Sequence, residues 1–496
     1  MNKILLIICV SLTLVSCRKF LTEYSPSDVI PTTTADFGEI LYADGYPENG
    51  TRTLYRWAAF LDDDIQCYLG PTNITAINFI TSARILLQWQ PDLATENLSF
   101  GMDINSWAKF YKLLLGVNVV IQSLDDAAGP QEQKDQFKGE AYVLRAFYHF
   151  MLVNFYSRPY NDSTTTPDKI MGVPIRVDAN LSDSFMTRSS VKEVYDQIAS
   201  DLDMGIELLE RKKKFSSVFR ISHIAAHLLA SRVHLYMENW DKAVYHADKV
   251  LAVHPQLMDY NSKIGVPVTM EDGLVGPTNV ESIWCYGNAR ERYPEGYGFT
   301  YDVSADLVQT FEPDDLRRSI AIYEIPDFLK PYVAIPVSQQ KQLGDYNSGN
   351  KSITNSWRSS EAYLNRAEAY IQKYRISGNS NYATEALESL NILRSFRFPA
   401  GTYQPWGVEP GDVLLQMCRD ERRRELFCEE AHRWFDLRRY GMPTIKHIYT
   451  PDIGVVETYT LNKRDPQYVM PIPDEVLTKN PALIRDPLYE GIRMKD

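Results

Sequence analysis

Between residues 131 and 157 the apolar positions Phe137, Ala141, Leu144, Tyr148, Met151 and Phe155 step by four, three, four, three and four. That spacing is one face of an amphipathic helix. Residues 104–125 and 190–213 read as further long helices. The second runs into Arg211-Lys212-Lys213-Lys214, cations suited to the negative end of a helix dipole. Residues 222–254 read as helix, a short turn at Glu238-Asn239, and helix.

Within that pair Leu228, Ala230, Tyr236, Trp240, Ala243 and Ala247 alternate bulky and small side chains. Small residues let paired helices approach, and bulky ones fill between them, as in tetratricopeptide-type hairpins. Residues 356–397 repeat the arrangement, with Tyr363, Ala367, Tyr370 and Tyr374 on one helix and Ala383, Leu387, Leu390 and Leu393 on the next. Glu140-Ala141-Tyr142-Val143-Leu144-Arg145-Ala146 also matches Glu361-Ala362-Tyr363-Leu364-Asn365-Arg366-Ala367 at five of seven positions. The expectation is a mainly α, TPR-like scaffold of about four helical hairpins over 104–254 and 356–440.

From about 255 to 354 the helical period stops, and Gly, Pro, Tyr and Asn become frequent around short β-type runs such as Ser282-Ile283-Trp284-Cys285-Tyr286. A long irregular stretch inside a domain is usually functional. This loop-rich insertion, with residues 42–101, is therefore expected to form the ligand face of a single domain over 37–496.

The composition, 44% apolar and 23% charged, is that of a globular protein. A net charge of −12, from 52 basic and 64 acidic residues, argues against nucleic-acid partners. Tyr (31) outnumbers Phe (20), so much aromatic surface carries a polar handle suited to half-wet sites. Residues 1–16 read as a signal peptide, with an apolar run too short for the roughly 20 residues of a membrane span. Leu14-Val15-Ser16-Cys17 looks like a bacterial lipobox, which would place a lipid on Cys17 and make 17–36 a tether. The alternative is an ordinary secretory signal with an incidental cysteine. Beyond it only Cys67, Cys285, Cys418 and Cys428 remain. Cys418 and Cys428 fall on what reads as one helix, too far apart to bridge. Buried free thiols are expected, with Cys67–Cys285 as the one bridge worth testing.

Ser16-Cys17-Arg18-Lys19-Phe20-Leu21-Thr22-Glu23 with Pro26, Trp107-Ala108-Lys109-Phe110-Tyr111 with Asn118, and the run Trp357 to Ala369 resemble motifs of the SusD/RagB outer-membrane lipoproteins. Glu421-Arg422-Arg423-Arg424-Glu425-Leu426 followed by Glu429 to Arg439 is the strongest match, and Pro471-Ile472-Pro473-Asp474-Glu475 with Asn480-Pro481 closes the pattern. Two places depart from it: Ala431 stands where Gly is common, and Ile484 to Tyr489 replaces the usual ending. The resemblance implies a lid that binds oligosaccharides, or peptides in the RagB manner, over a SusC-like TonB-dependent transporter at the outer membrane, facing the exterior. It implies neither catalysis nor a cofactor. A TPR-type assembly lipoprotein gripping a peptide tail is the competing reading.

The seven arginines and six acids of 419–439 are spaced for pairs such as Glu421/Arg424, Glu429/Arg433 and Asp436/Arg439, a structural network in preference to an anion site. His223, His227 and His234 share one helix face, as zinc ligands or, better, as packing. Asp62-Asp63-Asp64 offers oxygens to Ca²⁺ but lacks an EF-hand loop, and reads as a solvated turn. Nucleophile-elbow, P-loop and dinucleotide motifs are missing. Sugar recognition needs aromatic faces with amides or charges beside them, outside helix cores. Trp89, Gln90 and Asn97 before the Trp107 helix, and Asn288, Arg290, Tyr293 and Tyr297 in the insertion, are the candidates, with Tyr68 and Trp406 behind them. Trp107, Trp240, Trp284, Trp357 and Trp434 read as core.

Overall fold

The computed structural model describes residues 31–47, 54–67, 83–94, 105–180, 184–213, 217–268, 274–287, 301–324, 337–339, 341, 355–452 and 454–496. Helix α1 (Thr34–Ile40) opens on a capping box in which Thr33 and Asp36 exchange bonds. Then follow α2 (Ser106–Ser123), α3 (Gln131–Tyr156) and α4 (Val191–Glu210), the last started by a Ser190/Glu193 capping box. The pair α5 (His223–Tyr236) and α6 (Trp240–Leu251) turns at Glu238, whose φ is 58°, and restarts on the Asn239 cap. Successive helices pack against one another as the small/bulky alternation requires: Ala230 and Val233 of α5 and Ala243 and Ala247 of α6 are all buried. The basic run after α4 is held by acids of α3, Arg211 by Asp135 at 3.0 Å and Lys212 by Glu132.

Short strands interrupt the stack. β1 (Ile65–Cys67) pairs antiparallel with β3 (Tyr301–Val303), and β2 (Ser282–Tyr286) with β6 (Asn355–Arg358). Two short helices, α7 (Ala305–Gln309) and α8 (Leu316–Ile320), precede β4 (Ile322–Glu324), which pairs with β5 (Val337–Gln339). The hairpin α9 (Ser359–Ser377) and α10 (Ser380–Ser395) turns through Gly378 at φ 70°, where only a residue without a Cβ is unstrained. α11 (Gly411–Leu426), α12 (His432–Arg439), the hairpin of β7 (Ile445–Asp452) and β8 (Val455–Leu461), and α13 (Asp474–Lys479) complete the chain. The mainly α hairpin scaffold is as expected. The β7/β8 hairpin is not signalled by the helical period, although β7 alternates buried and outward positions at its start.

Two local expectations change, and that of buried free thiols holds. Cys418 and Cys428 do not share a helix, because α11 ends at Leu426 and the chain turns through Cys428 and Glu430, both at positive φ. All four described cysteines are free and buried, and Cys67 and Cys285 lie in different strand pairs. Asp62-Asp63-Asp64 is not a solvated turn: Asp62 and Asp64 are buried, Asp64 meets Arg423 at 2.7 Å and Asp63 meets Arg433 at 2.6 Å.

The centre of the fold is a buried ion network. Arg397 donates to Glu281 at 2.7 Å and to Glu425 at 2.8 Å, and Arg358 reaches Glu429 at 2.6 Å and Glu425 at 3.0 Å. Arg317 joins Glu421 at 2.8 Å and Glu425 at 3.0 Å. Alongside, Arg232 binds Glu361 at 2.6 Å and Glu430 at 2.9 Å, while Asp436 lies between Arg422 and Arg439. Of the helix-surface pairs read from spacing, Glu421/Arg424 and Asp436/Arg439 form. Glu429/Arg433 does not, because the backbone break sends Glu429 to Arg358 and Arg433 to Asp63. Burial pushes the Glu421 carboxyl upward, and Arg317, Arg424 and Arg394 outweigh it and hold it well below the ordinary range. The same contest, won by Arg397, Arg358 and Arg317, keeps Glu425 ionised.

Removing one member of such a cluster leaves its partners buried and uncompensated. Glu425→Ala is therefore expected to destabilise the protein by about 3–5 kcal/mol or to prevent folding. An exposed-pair control, Lys192→Ala opposite Asp196, should leave the urea midpoint nearly unchanged. Comparable urea midpoints for the two variants would show that the network is not what holds the fold.

Candidate ligand face

Two strand ends organise the loop side of the molecule. Cys67, the last residue of β1, pairs with Tyr301, the first of β3, and Tyr286, the last of β2, pairs with Asn355, the first of β6. The segment after Cys67, the β2–β3 connection and the segment before Asn355 therefore all depart from these two pairs. The pairs themselves are fixed in the core. Tyr301 packs edge-on against Phe60 at 5.2 Å, the Tyr286 hydroxyl meets that of Tyr55 at 2.6 Å, and Trp284 contacts Tyr286 and Trp357 at 4.4 and 4.6 Å. Glu430 accepts from Trp357 Nε1 at 2.6 Å and from the Tyr286 hydroxyl, tying this aromatic cluster to the ion network. Cys67 and Cys285 bond Thr450 and Ser356, and burial pushes both thiols up to about 11, so neither is a thiolate at neutral pH.

Tyr68, Asn97, Asn288, Arg290, Tyr293 and Tyr297 lie outside the described residues. Tyr68 directly follows the end of β1, and the 288–297 group falls in the β2–β3 connection, so the topology ties five of these six to the two strand ends.

Trp89 and Gln90 are corrected: both are core. Trp89 is 0% exposed, its Nε1 donates to the Leu61 carbonyl at 2.9 Å, and its ring stacks on His447 at 4.0 Å. Gln90 is a clamp for the C-terminal tail, donating to the Arg493 carbonyl and accepting from the Arg493 N–H, each at 2.9 Å. The apolar run Ile85-Leu86-Leu87 just before them, all buried, is the signal that would have placed them inside. The stretches 54–67 and 83–94 are largely buried, so the described part of 42–101 is mostly scaffold.

Trp406 is half-buried beside α10. The Arg394 guanidinium sits 3.7 Å from its ring centre, and Asn391 clamps its backbone at 2.8 and 3.0 Å while accepting from the Tyr403 hydroxyl at 2.6 Å. The result is an immobilised aromatic with one face already engaged. Trp284, Trp357 and Trp434 are buried as expected, and Trp240 is partly buried against the core. Trp107 is buried too, yet it borders a cleft of about 230 Å³ with Tyr111, Pro174, Met186, Val476 and Leu483. That is smaller than the roughly 300–1,000 Å³ of typical ligand sites and suits a single ring-sized group at most.

The histidines of α5 pack. His227 Nδ1 lies 2.8 Å from Nδ1 of His246 on α6, its Nε2 lies 3.1 Å from Glu210, and His234 stacks on His246 at 5.5 Å. Among the described residues no three His, Cys, Asp or Glu side chains form a metal-holding group.

Comparison with known proteins agrees with this architecture. Residues 19–235 match the SusD-like family described as starch-binding associating with outer membrane, and residues 332–489 match the SusD family. No curated protein matches the sequence. Among solved structures, a SusD-like carbohydrate binding protein from Bacteroides vulgatus is 21% identical with a TM-score of 0.66, covering 93% of this chain and 100% of its own. A SusD superfamily protein from Bacteroides thetaiotaomicron is 22% identical with a TM-score of 0.70, covering 92% and 100%. One from Bacteroides fragilis is 22% identical with a TM-score of 0.67, covering 92% and 99%. The chain belongs to the SusD/RagB family, whose proteins bind ligands and are not enzymes.

The histidine packing makes stability depend on pH. Burial, reinforced by neighbouring His227, pushes His246 down to about 3, burial pushes His234 down to about 4, and burial with Arg145 beside it takes His149 to about 3. Unfolded, each titrates near 6.5. A depressed histidine contributes stability that is complete above about pH 6.5 and is lost as pH falls towards its folded value. The melting temperature should be level from pH 8 to 7 and decline from about pH 6.5 to 4, with a shallower decline in His234→Gln. A melting temperature that rose between pH 7 and 5 would contradict the burial of these rings.

Proposed function

We propose that the protein is a lipid-anchored, cell-surface binding protein that captures oligosaccharides and closes as a lid over a SusC-type TonB-dependent transporter in the outer membrane. Membership of a family described as starch-binding and outer-membrane-associated carries this reading. The organisation of the chain supports it: a stiff helical stack holds two strand pairs, and from their ends depart segments containing Tyr68, Asn288, Arg290, Tyr293 and Tyr297. These residues supply the aromatic faces and hydrogen-bonding groups that a sugar needs. Asn97 and Trp406 are secondary contacts in this proposal. No helix of the described residues is long and apolar enough to cross a membrane, and the lipid on Cys17 is the proposed attachment.

Calorimetric titration of the chain from Arg18 onward, against plant, host and microbial oligosaccharides and a peptide digest, tests the ligand class. Heat is expected with one glycan class, and Tyr293→Ala should weaken it at least about tenfold without changing the melting temperature. Heat with peptides alone would replace the sugar by a peptide, and no heat from any ligand would remove the capture role. Anchoring is tested separately: in the full-length chain Cys17→Ala should move the protein from the membrane fraction to the soluble one, and an unmodified Cys17 in the mature protein's mass spectrum would exclude a lipoprotein.

A further inference from the structure

Of the seven arginines between 419 and 439, five have a carboxylate within ion-pair distance: Arg422, Arg423, Arg424, Arg433 and Arg439. Arg419 lies over the Tyr440 ring at 3.9 Å. The Nε of Arg419 and the Nη2 of Arg422 also lack a hydrogen-bond partner among the described residues, but Arg438 has two such nitrogens and no carboxylate beside it. It is 1% exposed, its Nη2 donates to the Ser157 carbonyl just beyond the C-terminus of α3, and its Nε and Nη1 have no hydrogen-bond partner among the described residues. Two further buried polar atoms are equally unpartnered among the described residues, the Oγ of Ser157 itself and the hydroxyl of Tyr236 on α5, which acts on Arg438 through space.

The charge balance around Arg438 does not close. Among the described residues Tyr195, Tyr236 and Asp486 are the acidic groups that act on it, and the two tyrosines stay neutral because burial pushes their hydroxyls well above the ordinary phenol range. Asp486 is committed to Arg188, which it meets at 2.7 Å. Arg188 is itself buried, and its other bonds run to the carbonyls of Tyr156, Gly172, Met171 and Ile484. Among the described residues no carboxylate lies within ion-pair distance of Arg438, so its positive charge has no direct counterion. The end of the α3 dipole offsets only part of it. Burial lowers the Arg438 guanidinium to about 10, which leaves it charged at neutral pH. A buried guanidinium with unmatched charge and unmet donors is among the least tolerable arrangements in a protein core.

We propose that Arg438 binds a small monovalent anion of chloride size in the core between α3, α4, α5 and α12, with the Ser157 and Tyr236 hydroxyls as further donors. The anion supplies the missing unit of charge and meets N–H and O–H groups that no acceptor among the described residues reaches. This is a structural site, separate from the ligand face, and it makes the stability of the scaffold depend on halide.

Two measurements on the full mature protein test it. In crystals grown with bromide as the only halide, an anomalous peak is expected within about 3.5 Å of the Arg438 guanidinium. In thermal unfolding at constant ionic strength, replacing gluconate by chloride should raise the melting temperature by about 1 °C for each tenfold rise in chloride above the dissociation constant. Arg438→Met should abolish that dependence. If the variant does not fold, the bromide map of the unmodified protein decides. Water alone at the guanidinium, or a melting temperature indifferent to the exchange of gluconate for chloride, overturns the proposal.

Discussion

The carboxylate of Glu425 sits where Arg317, Arg358 and Arg397 meet, and the placement of every neighbouring element follows from keeping that meeting intact. These groups come from α11, α8, β6 and the end of α10, and Glu281 at the start of β2 completes the balance. Taking so many charges out of water costs more than any one ion pair returns. What the arrangement supplies is discrimination. A helix or strand displaced by one residue would strand a buried charge, so the helical stack and the strand pairs lock into a single register. Lys341 extends the same logic to the insertion, with its ammonium against Glu429 and over the Phe427 ring at 4.3 Å.

This explains how irregular strand pairs of three to five residues stay ordered among long helices. A two-stranded ladder is marginal in water. Here β2 and β6 are buried along their whole length, Trp284 and Trp357 cross at 78°, and Arg358 ends β6 inside the ion network. The strand ends are therefore as rigid as the scaffold. Segments that depart from a rigid rim can differ in length and sequence without altering what lies beneath, which separates binding specificity from folding. Relatives about 20% identical that nonetheless overlay along more than 90% of this chain fit such a division.

The helices were legible because their information is local. The apolar period marked α3 to within a residue of its observed span, and caps such as Ser190 with Glu193 and Asn239 stand in the sequence where the helices begin. The strand Ser282–Tyr286 was equally readable from its run of β-formers. The 419–439 segment was legible in kind but not in detail. Its charges do form a network, yet Glu429 and Arg433 reach residues about 70 and 370 positions away instead of each other. The cause is a break at Cys428 and Glu430, which carry left-handed backbone without the glycine that would announce it.

Trp89 shows the corresponding limit for the site. An aromatic flanked by Gln, Pro and Asp has the composition of an exposed binding loop, and only the tertiary fold reveals His447 and Arg493 closing over it from residues more than 350 positions on. An indole buried to 0% with its N–H satisfied cannot offer a face to a ligand without opening the core. Segments suited to binding were thus distinguishable from helices by their lost period, whereas individual contacts were not, because stacking on a sugar and stacking in a core ask the same things of a tryptophan. The difference lies in whether the second face of the ring meets protein, and that is decided by distant residues. For Trp406 one face is settled, since Arg394 occupies it, and any role in capture must use the other.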